Sequence, residues 1–375
     1  MFKRNEIKNA VRVVVKIGTS TLTYNNGKLN LFRIEKLVRE LADLANQGKE
    51  IILVTSGAVG AGLDRLGSTE RPKTIPEKQA VAAIGQGILM HMYEKLFAEY
   101  GQIVAQVLLT RENSVKHKLY INSRNTLLTL LKMGVIPVIN ENDAIAIDEL
   151  KIGDNDTLSA TVATIVDADL LIILSDIEGV FTANPQNDPT AQLIEEITDI
   201  TPEIEELAGG AGSKLGTGGM YTKIQAAKIA VNAGVTMVIA SGALEGVVRN
   251  ILSGEKIGTI FPAKEQHLQV RKSWLAFGAM IKGELVVDEG CEKALITEGS
   301  SLLSVGIVEV KGTFDQGNSV RILSKQGREI ARGLANYNSE EIKKICGKNT
   351  NNISKILGSK LYDEVIHRDN MVIMV

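Results

Sequence analysis

Cysteine and aromatic residues are scarce in this chain. Its 375 residues include two cysteines and one tryptophan, and Phe, Trp and Tyr together make up 4%. Cys291 and Cys346 form no CxxC pair, which excludes a disulfide framework and leaves two small apolar side chains. So few aromatics disfavour a stacking platform for nucleic acid and fit aliphatic cores. The four histidines, His91, His117, His267 and His367, show no metal spacing such as HExxH, and no Ser-His-Asp pattern stands out. No apolar run approaches the roughly 20 residues needed to span a bilayer. The basic N-terminus carries too short an apolar run for a signal peptide. The chain therefore reads as cytoplasmic, with no membrane partner. A net charge of -2 argues against nonspecific nucleic-acid or membrane binding as the main task.

What is present is an ordinary globular balance, 44% hydrophobic and 23% charged, over a length that predicts two domains. Six apolar runs, "VRVVVKI", "EIILVTS", "QIVAQVLL", "GVIPVIN", "DLLIILS" and "VTMVIAS", read as buried strands. Amphipathic segments between them, such as "LFRIEKLVRELADLANQG" and "IPEKQAVAAIGQGILMHMYEKLFAEYG", read as helices. The alternation predicts an α/β fold, a mostly parallel sheet sandwiched by helices, with ligands beyond the carboxyl ends of the strands. After "GTIFPAKEQHLQVRKSWLAFG" the pattern shifts to shorter, polar-punctuated strands, "KGELVVDEG", "SLLSVGIVEVKGTF", "NSVRILSKQG" and "EIARGLANYN". These predict a small β-rich second domain from near Ala276.

The polar residues at the strand ends carry the chemistry. "VVVKIGTSTLT" ends a strand at Lys16 and turns through Gly18 into hydroxyl residues, which suits an anion; a solvent-facing lysine beside a common turn is the bland reading. "ILVTSGAVGAG" places Ser56 and Gly57 where strand meets helix, as ligand contact or helix cap. "VIPVINENDAI" gathers Asn140, Glu141, Asn142 and Asp143, and "KIGDNDTLSA" gathers Asp154, Asn155 and Asp156 ahead of a helix. One acid explains a cap; the full set suits a small zwitterion with an ammonium group, or the steering of lysines or metal-bound phosphate. "IILSDIEGVFTANP" ends a strand at Ser175 and Asp176, a place for a nucleotide or a plain acidic loop.

"LGTGGMYTKIQAAKIA" matches neither familiar glycine fingerprint. A dinucleotide loop needs glycine where Tyr221 stands, and a P-loop needs lysine before the hydroxyl, whereas Thr222 precedes Lys223. A glycine loop feeding a helix with a lysine in its first turn still suits a phosphoryl group in transfer, where positioning and charge neutralisation are the main needs. A surface hinge is the alternative.

Taken in order, "VVVKIGTSTL", "VTSGAVGAG", "NENDAI", "GDNDTLSA" and "GTGGMYTK" resemble the amino acid kinase family, from about Val11 to the chain end. More narrowly they resemble its branch acting on the γ-carboxylate of free L-glutamate. The C-terminal part looks like a PUA domain. The resemblance implies a kinase domain over residues 1–262, a linker over 263–275, a PUA domain over 276–358 and an associated segment over 359–375. It implies the reaction of ATP with L-glutamate to give ADP and γ-glutamyl phosphate, the first step toward proline, with Mg²⁺ carried on ATP. By resemblance, Lys16, Lys223 and Asp156 are catalytic: the lysines flank the phosphoryl group and Asp156 organises them. Ser56, Asp143 and Asn155 match substrate-binding positions. Lys16, Ser175, Asp176, Thr217, Gly218, Gly219, Met220, Tyr221, Thr222 and Lys223 match nucleotide-binding ones; serine stands at 175 where the family commonly has threonine, and keeps the hydroxyl. The resemblance further implies inhibition by proline, a dimer or tetramer, and a reductase that consumes the acyl phosphate.

Two other readings remain. A relative acting on N-acetylglutamate, aspartate or carbamate would share the phosphate site, although N-acetylated and carbamate substrates bring no ammonium to Asp143. PUA domains elsewhere bind structured RNA, but residues 276–375 show no arginine-rich stripe, so RNA binding is not expected.

Overall fold

Arg12–Ile17 (β1) is the centre of the larger sheet and explains its layering. Successive side chains of a strand alternate between faces. Accordingly Val13, Val15 and Ile17 join one apolar cluster, and Val14 joins the other. A strand with both faces buried needs a helical layer on each side.

The computed structural model describes residues 4–374 other than 25–26, 69, 71, 111–116, 146–154, 186, 209–218, 264–280 and 360–361, and omits the side chains of 117–119. The chain forms two compact units, Met1–His267 and Leu268–Val375. The expected linker, 263–275, falls almost wholly outside the described residues. No described helix is long and apolar enough to cross a membrane.

In the first unit, β1 is followed by Thr19–Leu22 (α1), Leu31–Asn46 (α2), Glu50–Val54 (β2), Ala58–Leu66 (α3) and Ile75–Ala98 (α4). Next come Val104–Leu109 (β3), His117–Lys132 (α5), Ile136–Glu141 (β4), Asn155–Ile165 (α6) and Leu170–Ser175 (β5). Pro202–Leu207 (α7), Met220–Asn232 (α8), Thr236–Ser241 (β6), Val247–Leu252 (α9) and Thr259–Phe261 (β7) complete it. The strand order is β3-β4-β2-β1-β5-β6-β7. The first six strands are parallel, and β7 is antiparallel to β6.

Helix α2 shows why these elements form. Asn30 caps it by accepting from the Arg33 amide, and Ile34, Leu37, Val38, Leu41 and Leu44 make one buried stripe at helical spacing. Helix α4 begins with a reciprocal capping box between Thr74 and Glu77. Side chains of α2, α4 and α9 share a cluster with Val13, Val15 and Ile17, whereas those of α5, α6 and α8 share one with Val14.

Five of the six expected strands are buried as read. Strand β3 is only half-buried, because among the described residues it is an edge strand that pairs with β4 alone.

The second unit holds Ile281–Val287 (β8), Glu289–Thr297 (α10), Ile307–Gly312 (β9), Ser319–Leu323 (β10) and Glu329–Leu334 (β11). Ser339–Ile345 (α11), Ile353–Leu357 (α12) and Met371–Ile373 (β12) follow. Its sheet order is β12-β11-β10-β8-β9, with β8 and β10 parallel and the other neighbours antiparallel. Leu285, Val287, Val320, Ile322 and Ile330 lie in its core.

Candidate active site

Lys16 shares the parity of Val14 in β1, so its side chain leaves on the face covered by α6 and α8. Both helices start near the carboxyl end of the sheet and bring one partner each. Asp156 is the second residue of α6, and Lys223 the fourth of α8. Lys16 Nζ lies 2.5 Å from Asp156 Oδ1, and Lys223 Nζ lies 3.2 Å from Oδ2. The carboxylate is 0% exposed and the lysines 5% and 4%, which rules out the solvent-facing reading of Lys16. Burial by itself would raise the Asp156 pKa, but the charges of Lys16 and Lys223, with their hydrogen bonds, outweigh it and hold the carboxyl below its ordinary range. Thr222 Oγ1 adds a contact at 3.0 Å to Asp156 Oδ2.

A second cluster forms from neutral groups. Strand β2 ends at Val54, and the chain turns into α3 through Gly57, whose φ of 96° is left-handed and favours glycine. Gly57 is the helix cap, not Ser56. Ser56 Oγ instead accepts at 2.8 Å from Asn155 Nδ2. The same amide nitrogen lies 2.6 Å from the Thr55 carbonyl and 2.9 Å from Asn140 Oδ1. Asn140 Nδ2 donates onward to Gln86 Oε1 of α4 at 2.7 Å.

Strand β5 delivers the third group, where Ser175 Oγ donates to Asp176 Oδ1 at 3.0 Å. One cleft of about 340 Å³ is lined by Lys16, Ser56, Asp143, Asn155, Ser175, Asp176 and Lys223 together. Thr19, Ser20, Lys78, Asn140 and Glu141 also line it. Asp156 lies behind the two lysines that it holds. Gly219 caps α8 and accepts from Thr222 Oγ1 at 2.7 Å, while Met220 and Tyr221 are half-buried against the apolar cluster of that face. Thr217, Gly218 and Asp154 lie outside the described residues.

Reading motifs along the chain missed Gln86 and Lys78, which come from α4, and assigned Asn140 no role of its own. Asn140 was visible as the amide ending a buried strand. Gln86 gave one signal, a polar side chain following Gly85 within an apolar helical run.

The amino acid kinase family profile matches residues 11–241, and the PUA domain profile matches residues 283–357. A glutamate 5-kinase of Caldanaerobacter subterraneus subsp. tengcongensis is 58% identical over 364 residues, covering 97% of this chain and 98% of that protein. A glutamate 5-kinase of Moorella thermoacetica is 54% identical over 371 residues, 99% of this chain and 98% of that one. A solved structure of a UMP kinase from Bacillus anthracis aligns with a TM-score of 0.48 at 16% identity, covering 68% of this chain and 97% of that one.

Proposed function

This chain belongs to the amino acid kinase family, and from that premise we propose that it transfers the γ-phosphoryl group of ATP to the γ-carboxylate of free L-glutamate. The products are ADP and γ-glutamyl phosphate. The observation that carries the reading is the buried Lys16–Asp156–Lys223 unit at the cleft.

A γ-carboxylate, with an ordinary pKa of about 4.3, is already anionic near neutral pH, so the nucleophile needs no base. The difficulty is to bring it to a triphosphate of like charge and to stabilise the oxygens of the transferring group. Two ammonium groups and one carboxylate leave a single net positive charge beside the cleft. Because Asp156 fixes both lysines in a water-poor setting, that charge needs no reorganisation during transfer. Lys16 and Lys223 flank the phosphoryl group, and Asp156 is their positioning residue.

The other end of the cleft offers the complement of an α-amino acid. Ser56 Oγ already accepts from Asn155, so its hydroxyl proton is available to the substrate carboxylate. Asp143 and the Asn155 carbonyl oxygen face an ammonium group. An N-acylated substrate would leave Asp143 without that partner, which favours free glutamate.

Ser175 and Asp176 hold the nucleotide, with backbone N–H groups at the start of α8, from Gly219 through Met220, Tyr221 and Thr222, directed at its phosphates. Thr217 and Gly218 belong to the same loop by resemblance. Thr19, Ser20 and Asp176 line the cleft with hard oxygen donors of the kind Mg²⁺ takes, and an ion carried on ATP would there neutralise phosphate charge. Proline competes with glutamate, the chain works as a homo-oligomer, and a reductase consumes the labile acyl phosphate.

The test is ADP release with hydroxylamine present to trap acyl phosphate, using glutamate, aspartate and N-acetylglutamate in parallel, each with and without proline. Hydroxamate from glutamate alone, suppressed by proline, is the expected result. Turnover of another substrate would overturn the reading of Asp143 and Asn155, and no turnover at all would overturn the kinase reading.

A further inference from the structure

Asn155 can present either its carbonyl oxygen or its amide nitrogen to the cleft, and only the oxygen suits an ammonium group. Two backbone groups orient the amides. The Thr55 carbonyl, 2.6 Å away, must face a donor, so the Asn155 nitrogen points inward. The Glu141 amide, 2.9 Å away, must face an acceptor, so the Asn140 oxygen lies on that side, where it also accepts from Asn155. Asn155 Oδ1 has no donor among the described residues, and the residue lines the cleft.

This polarity leaves the Asn140 nitrogen, on a side chain 2% exposed, needing an acceptor. Gln86 Oε1 supplies it at 2.7 Å. One heptad further along α4, Tyr93 pairs with Thr55 through a hydroxyl–hydroxyl hydrogen bond of 2.8 Å. Residues seven apart share a helix face, so one side of α4 supports two of the three residues that hold the Asn155 nitrogen. The close approach rests on glycine: a Cβ at Gly85 would stand 1.7 Å from the Ala58 carbonyl oxygen, and one at Gly62 would stand 2.1 Å from the Val81 carbonyl oxygen.

We propose that Gln86 is a specificity-determining positioning residue, which acts through Asn140 to keep the Asn155 carbonyl oxygen turned to the cleft and so selects substrates with a free α-ammonium group. The inference rests on the assignment of glutamate above. Without the Gln86 acceptor, the buried Asn140 nitrogen is left unpaired and the Asn140 amide is no longer held in place. Asn155 then loses the Asn140 acceptor that helps to keep its nitrogen inward and its oxygen toward the cleft.

The experiment compares wild type, Gln86→Met and Gln86→Glu in the full chain. Methionine keeps the length without a strong acceptor, and glutamate keeps an acceptor at the same reach. KM for glutamate, KM for ATP and kcat are read by the hydroxamate assay, and the thermal midpoint reports folding. Gln86→Met raises KM for glutamate about 10-fold, the scale of one buried hydrogen bond, while KM for ATP stays within about twofold. Gln86→Glu restores KM for glutamate to within about threefold of wild type. An unchanged KM in Gln86→Met, an equal rise in both variants, or a matching rise in KM for ATP would each overturn the proposal. If Gln86→Met does not fold, a Gln86→Glu chain that folds with a raised glutamate KM would overturn it as well. A wild-type chain inactive on glutamate would instead sink the functional reading and this inference with it.

Discussion

At the phosphate end of the cleft, Asp156 is fully buried between two ammonium groups; at the amine end, Asn155 is held by the neutral acceptors of Thr55, Ser56 and Asn140. Both arrangements fix polar side chains in place, but they should break differently. Removing one partner of a buried ion pair strands a charge and costs about 3–5 kcal/mol. Removing one neutral hydrogen bond costs about 1–3 kcal/mol. The phosphate end should therefore fail in kcat and stability together, and the amine end in KM for glutamate.

The largest effect belongs to Asp156→Asn. It leaves both lysines without their carboxylate, so turnover should fall by about 10³ or more and stability by about 3–5 kcal/mol. Its pH dependence has a definite sign. The folded carboxyl titrates below its ordinary value, so its stabilisation is complete above the unfolded value of about 3.9 and lost as pH falls through the lower folded one. Urea unfolding at several pH values should show wild type and Asp156→Asn far apart near neutrality and converging in acid. A gap independent of pH would remove the ion-pair explanation.

Lys223→Met comes next. It deletes one of two positive charges and leaves Asp156 paired with Lys16, so stability should change less than in Asp156→Asn. Turnover should still fall about 10²–10³-fold, with KM for glutamate nearly unchanged. Single-turnover kinetics would separate this from slow product release. A variant that lost only glutamate affinity would erase the distinction between the two ends.

The asymmetry also explains what the sequence disclosed. Lys16, Ser56, Asn155 and Ser175 were legible because each sits where a strand ends or a helix starts, and a parallel sheet collects such points at one edge. Sequence could not show that Lys16 shares a face with α6 and α8, since that depends on which parity of β1 each helical layer covers. Gln86 was hidden for a different reason. It lies inside the 24-residue helix α4, and its reach to Asn140 depends on how closely α4 packs on α3. Strand β7, at three residues, is too short to show a period. The parallel pairing of β8 with β10 joins strands that are not consecutive, so no local pattern announces it.

Gly85→Ala tests that hidden dependence and should have the smallest effect on chemistry. The added Cβ would meet the Ala58 carbonyl oxygen at 1.7 Å and the Gly62 nitrogen at 2.4 Å, both backbone atoms, so no side chain can turn aside. Helix α4 must withdraw, at a cost of about 1–3 kcal/mol in unfolding free energy. The withdrawal carries Gln86 and Tyr93 away from Asn140 and Thr55 and loosens the hold on the Asn155 amide. No residue of the Lys16–Asp156–Lys223 unit lies on α3 or α4, so turnover at saturating glutamate should persist while KM for glutamate rises several-fold. If kcat fell as far as KM rose, α4 would have to support the phosphate end too, and the two ends of the cleft would be one mechanical unit.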